Sequence, residues 1–113
     1  MAKQMTIKDG KTGTNYLLEY TRKSVETMEK QGFSATELEK KPMTYLPALF
    51  AGAFLTHHRW VKREVIDDLY ERMPRKEELI PKLIEMYNEP IVALLENPDQ
   101  TGDEGNVDWT ADS

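Results

Sequence analysis

The sequence predicts an α+β fold that is mainly α, with an N-terminal β-hairpin packed against about four helices and a disordered acidic C-terminal tail. Three observations carry this. Apolar and polar residues alternate over Lys3–Ile7 and Asn15–Tyr20, on either side of the turn-forming stretch Lys8–Thr14. From Thr21 to Leu95, apolar residues recur at helical spacing. Residues 97–113 hold five carboxylates and no Lys or Arg.

The elements follow in order. The hairpin covers about residues 3–20. A lone hairpin is marginal in water, so it lies on helices or pairs with another chain. Its two edges are expected to be unpaired. Thr21 caps a first helix over about 21–31, which Gly32 ends, and its buried stripe is only Val25 and Met28. Ser34 and Glu37 have capping-box spacing, Phe33 and Leu38 fit a hydrophobic staple, and a short helical turn stops before Pro42. Thr44 is the expected cap of a helix over about 44–58, with Pro47 in its first turn. Leu46, Leu49, Phe50, Ala53 and Phe54 form one side of it, while Ala48, Ala51, Gly52 and Leu55 fill the other. A helix apolar all round belongs at the centre of the fold. A third helix, about 62–73, carries Val65, Ile66, Leu69, Tyr70 and Met73 on one face, and Pro74 ends it. The last, about 76–96, has a seam of Ile80, Leu83, Ile84, Tyr87, Ile91, Leu94 and Leu95 that runs straight through Pro90, where a bend is expected. Pro81 requires either a helix that starts just before it or a distorted first turn.

With 113 residues the chain is one domain, read as a globular unit over 1–96 and a flexible tail over 97–113. Residues 1–96 hold 15 basic and 15 acidic side chains, so the whole net charge of −5 sits in the tail. Val107, Trp109 and Ala111 are too little apolar surface to offset chain entropy there. A neutral body with an acidic tail argues against nucleic acid as the main partner, because phosphate repels the tail. The absence of Cys excludes disulfides, thiolate metal sites and a Cys nucleophile, and fits a reducing cytoplasm. The longest apolar run, Tyr45–Leu55, has 11 residues, short of the ~20 a bilayer span needs. The opening residues lack the hydrophobic stretch of a signal peptide.

No catalytic, cofactor-binding or metal-binding residue is assigned. His57 and His58 are adjacent rather than four apart, so they lack the placement of a helical two-His metal site. The pairs Glu37 and Glu39, Asp67 and Asp68, and Glu77 and Glu78 lie on polar faces among Lys and Arg. No nucleophile, base and orienting group come together. The run His57–Arg63 interleaves cations with Trp60, yet Glu64, Asp67 and Asp68 follow at once; it reads as a helix junction whose Trp60 covers the core. A calcium loop starting at Asp99 fails, with Glu104 where Gly belongs and Thr110 where Glu belongs. No Gly-rich phosphate loop occurs. What remains is surface for other proteins, and the candidate partner-binding residues are Trp60, Tyr87, Ile91, Leu95 and Trp109.

Several blocks carry a family likeness: Thr21–Glu29 through Gly32-Phe33, Lys41–Phe54, the His57-His58-Arg59 turn, Glu85–Pro90, and Gly105–Trp109. Together they resemble a small family encoded in tail-gene clusters of phages and prophages of Gram-positive bacteria, whose members look like tail assembly chaperones of long-tailed phages. The likeness spans roughly residues 4–97 plus the tail block. Pro81 departs from it, standing where a helix former is expected. The resemblance implies a non-enzymatic protein of the host cytoplasm that binds the hydrophobic, helical tape measure protein and helps deliver major tail tube subunits. It also implies absence from the finished virion. Coating a long client calls for many copies, so self-association is expected, with no membrane and no cofactor. The rival readings are a structural tail or connector component retained in the virion, and a small nucleic-acid-binding or regulatory protein using His57–Arg63.

Overall fold

The computed structural model describes residues 3–96 and 107–111. Two strands, β1 (Gln4–Lys8) and β2 (Asn15–Glu19), form an antiparallel hairpin. Four α-helices follow: α1 (Arg22–Lys30), α2 (Pro42–Gly52), α3 (Arg63–Arg72) and α4 (Lys76–Leu94), with a 3₁₀ turn at Ala35–Glu37 between α1 and α2. The chain is thus α+β and mainly α, as its periodicity predicts. The tail expected over 97–113 falls largely outside the described residues; Val107–Ala111 are exposed and without regular secondary structure.

The hairpin register pairs Met5 with Leu18 and Ile7 with Tyr16, which puts one apolar face on the helices. Its loop closes through Asp9, whose amide donates to Thr14 O at 2.8 Å and whose carboxylate accepts from the Lys11 amide at 2.9 Å. Thr21 caps α1 in a reciprocal pair with Ser24, Thr21 Oγ1 accepting from the Ser24 amide at 3.1 Å and Ser24 Oγ from the Thr21 amide at 2.8 Å. Gly32, at φ 98°, closes the helix: the Phe33 amide donates to Met28 O and the Gly32 amide to Glu29 O. The buried side chains of Met28 and Phe33 complete this left-handed stop. The expected box at Ser34 does not form; Ser34 Oγ pairs with Thr36 Oγ1 instead.

The central helix departs most from expectation. It begins at Pro42, with Lys41 rather than Thr44 as its N-cap, because proline has no amide to lose in a first turn and its φ is already helical. It ends at Gly52 rather than near 58. The reason is tertiary. In the hairpin, Leu17 and Glu19 point their amides away from β1, and residues 53–58 leave the helix to meet them. Ala53 O accepts from the Glu19 amide at 3.1 Å, His58 Nε2 accepts from the Leu17 amide at 2.9 Å, and Thr56 Oγ1 donates to Glu19 O at 3.2 Å. His57 Nε2 contacts the Glu19 carboxylate at 2.7 Å. One of the two edges expected to be free is therefore covered, and only the β1 edge stays open among the described residues.

The four carbonyls that end α2 all find partners. Phe50, Ala51 and Gly52 accept from the amides of Ala53, Phe54 and Leu55, and Leu49 O accepts from the Tyr20 hydroxyl at 2.5 Å. Burial pushes the Tyr20 phenol far above its ordinary range, so it remains a donor. Tyr20→Phe keeps the ring and orphans this carbonyl; the expected loss is about 1–3 kcal/mol in urea unfolding, with unchanged circular dichroism.

Leu18, Leu49, Phe50, Ala53 and Leu83 are completely buried, with Tyr20 and Phe54 beside them, so hairpin, α2 and α4 share one core. Only the far end of α2 is buried; Pro42, Met43 and Thr44 are exposed, which corrects the expectation of a helix buried all round. Gly52 is where α1 and α2 touch, since a methyl there would overlap Met28 Sδ and Cε. α4 runs unbroken through Pro81 and Pro90, starting five residues before Pro81. The carbonyl that Pro81 cannot serve is that of Glu77, in the exposed first turn. Lys76 Nζ donates back to the carbonyls of Glu71 and Met73, closing the end of α3.

Candidate protein-docking surface

α4 carries more apolar residues than its own domain can bury. At about 100° per residue, Leu79, Leu83, Met86 and Tyr87 form the face against the core. Ile84, Ile91 and Leu95 lie roughly 120° round the helix from the middle of that face, with Val92 farther on. All four are exposed, Leu95 by 82%. The single seam expected from Ile80 to Leu95 is thus divided: Leu83 and Tyr87 pack against the core, while Ile84 and, beyond Pro90, Ile91, Leu94 and Leu95 are exposed. Beside the open face, Val25, Pro90, Ile91 and Leu94 line a groove of about 180 Å³ between α1 and α4.

The five partner-binding candidates divide. Ile91 and Leu95 stand on the open face of α4. Tyr87 is 4% exposed and stacks edge-on against Tyr20 and Phe33, with centroids 5.5 and 5.4 Å away, so it is a core residue. Trp60 is 88% exposed and does not cover the core; its neighbour Val61 packs there. Trp109 is exposed on the described part of the tail. Among the described residues, no hydrogen bond, ion pair or ring contact links Trp60, Trp109 and the exposed α4 residues. Sequence reasoning missed Val92 as part of the face, and it missed Met43, which is 90% exposed. The position of Val92, one turn from Leu95, was the available signal.

Two further clefts flank α2. One of about 490 Å³ is lined by Met28, Phe33, Tyr45, Ala48, Leu55 and Ile66. The other, about 580 Å³, is lined by Pro42, Met43, Leu46, Pro47 and Tyr70. Arg63 reaches both and is paired with Asp67 through Nε at 2.9 Å. The two histidines are spent on the β2 edge. Among the described residues, no group of three or more His, Asp or Glu side chains is placed to hold a metal ion. No helix among them is long and apolar enough to cross a membrane.

Among the described residues, the one strongly shifted carboxylate, Asp9, is structural in its contacts. Asp9 accepts from Arg72 Nη1 at 2.9 Å and Nη2 at 3.2 Å, tying the hairpin loop to the end of α3. The guanidinium and the Lys11 amide hold its pKa at about 2, below the ordinary 3.8. A carboxyl depressed on folding adds stability above its unfolded pKa and loses it as pH falls through the folded one. Asp9→Asn is therefore expected to flatten the fall in melting temperature between about pH 4 and pH 2, measured by thermal melts across that range, and to lower the melting temperature at pH 7.

No curated protein and no solved structure matches the chain. A family model does match, over residues 1–113, and the chain belongs to that family, described as Domain of unknown function (DUF5055).

Proposed function

We propose that this protein is a non-catalytic assembly chaperone of long-tailed phages, which keeps the tape measure protein soluble and helps recruit major tail tube subunits. The observation that carries the reading is the open apolar face of α4, Ile84, Ile91, Val92 and Leu95, on a helix already anchored to the core by its other face. Exposed apolar residues aligned along a rigid helix fit a protein whose work is to cover another protein's apolar surface. Self-association belongs to the same reading, since a long client needs many copies.

The test is co-expression with the tape measure protein of the same gene cluster, followed by size exclusion with light scattering. A soluble complex holding several copies of this chain per client supports the proposal. A precipitated client beside a lone monomer overturns it, and mass spectrometry of purified particles then asks whether the chain is a retained tail component. A second reading draws on exposed Trp60 between Arg59 and Lys62. If that loop binds DNA, affinity falls steeply with salt and Trp60→Ala weakens it.

A further inference from the structure

We infer that the open face of α4 takes a helix whose own apolar stripe is flanked by lysine or arginine. This rests on the reading of that face as the docking surface and adds the chemistry of what docks there.

The spacing specifies a helix. Ile84 and Ile91 are seven residues apart, Val92 and Leu95 extend the same stripe, and Asn88 stands exposed between them. A stripe repeating every seven residues matches the seam of another α-helix, and one polar residue within it fixes register.

The charge specifies the flank. At 100° per residue, Glu78, Glu85, Glu89 and Glu96 fall in one row along one side of the stripe. From Lys76 to Glu96 two lysines face five glutamates, and the five carboxylates of residues 97–113 follow directly. Lys3 pairs with Glu85 and lies within the field of Glu89, and Arg75 stands 4.0 Å from Glu78; both are exposed pairs that a partner's cations can replace. The row argues against the other occupants. Two copies pairing α4 antiparallel would set glutamate row against glutamate row, and an anionic lipid surface would be repelled.

The experiment uses the full chain and two designed helical peptides with the same leucine stripe, one flanked by lysine and one by glutamate. Binding is followed by fluorescence anisotropy at low and high salt. The lysine-flanked peptide is expected to bind about tenfold more tightly at low salt, the sum of a few exposed pairs, with the difference shrinking as salt rises. Glu85→Gln, Glu89→Gln and Glu96→Gln together should remove that preference, and Ile91→Lys with Leu95→Lys should abolish binding while circular dichroism stays unchanged. Equal binding of the two peptides overturns the inference. So does lysine-peptide binding that survives the stripe substitutions, which marks general attraction to a polyanion. Self-association of the free chain that the same substitutions abolish assigns the face to a second copy and likewise overturns it. If neither peptide binds while the tape measure protein is still kept soluble through this face, the charge rule fails and the proposed function stands.

Discussion

Phe54→Ala is expected to cost about 3–5 kcal/mol, enough to unfold a domain of this size at moderate temperature. Phe54 is almost wholly buried, and its ring packs against Tyr16 at 5.4 Å, Phe50 at 5.3 Å and His58 at 6.3 Å between centroids. It is the point where the hairpin, the end of α2 and the histidine clamp on β2 meet. Truncation therefore leaves a cavity shared by three elements, and none can close it without releasing another. Leu55→Ala, one residue on and half-buried, serves as the comparison. Urea unfolding of both variants gives the difference, and a Phe54 variant within 1 kcal/mol of the unsubstituted chain would mean the core is not arranged as described.

Ile91→Lys with Leu95→Lys is expected to abolish solubilisation of the tape measure protein and leave the fold intact. Leu95 sits at the C-cap of α4 and Ile91 four residues before it, so the new ammonium groups lie in water near the negative end of the helix dipole. Stability is expected to change by less than about 1 kcal/mol. At an interface, a central apolar anchor is worth about 2–4 kcal/mol when lost. That corresponds to a complex weaker by roughly 30-fold to 1,000-fold for each such anchor. Leu83→Lys would also abolish activity, but through unfolding, because Leu83 is fully buried. Thermal melts separate the two outcomes.

Much of the architecture was legible because it is local. The alternation of Tyr16, Leu18 and Tyr20, the cap at Thr21 and the stop at Gly32 each act within a few residues, and all appear where the pattern puts them. The end of α2 was not legible. Its apolar pattern continues to Leu55, yet the β2 edge draws Ala53, Thr56 and His58 away from the helix, and nothing near those residues in sequence announces that demand. The tie between Asp9 and Arg72 spans 63 positions and was invisible for the same reason. For the docking surface, periodicity identified α4 as rich in apolar residues and picked out Ile91 and Leu95. It could not divide one wide stripe into a buried and an open part, because that depends on how the helix is rotated against the hairpin and α2. Tyr87 and Ile91 look alike in the pattern and end on opposite sides of that division.

In the proposed complex, α4 presents its outer face to a client helix. A photo-crosslinking residue placed at position 95, in chain co-purified with the tape measure protein, probes that contact. Crosslinks are expected from position 95 to a helical segment of the client, with none from a matching probe at exposed Thr12 in the hairpin loop. Crosslinks that form only between copies of this chain, or equally from both positions, would contradict it.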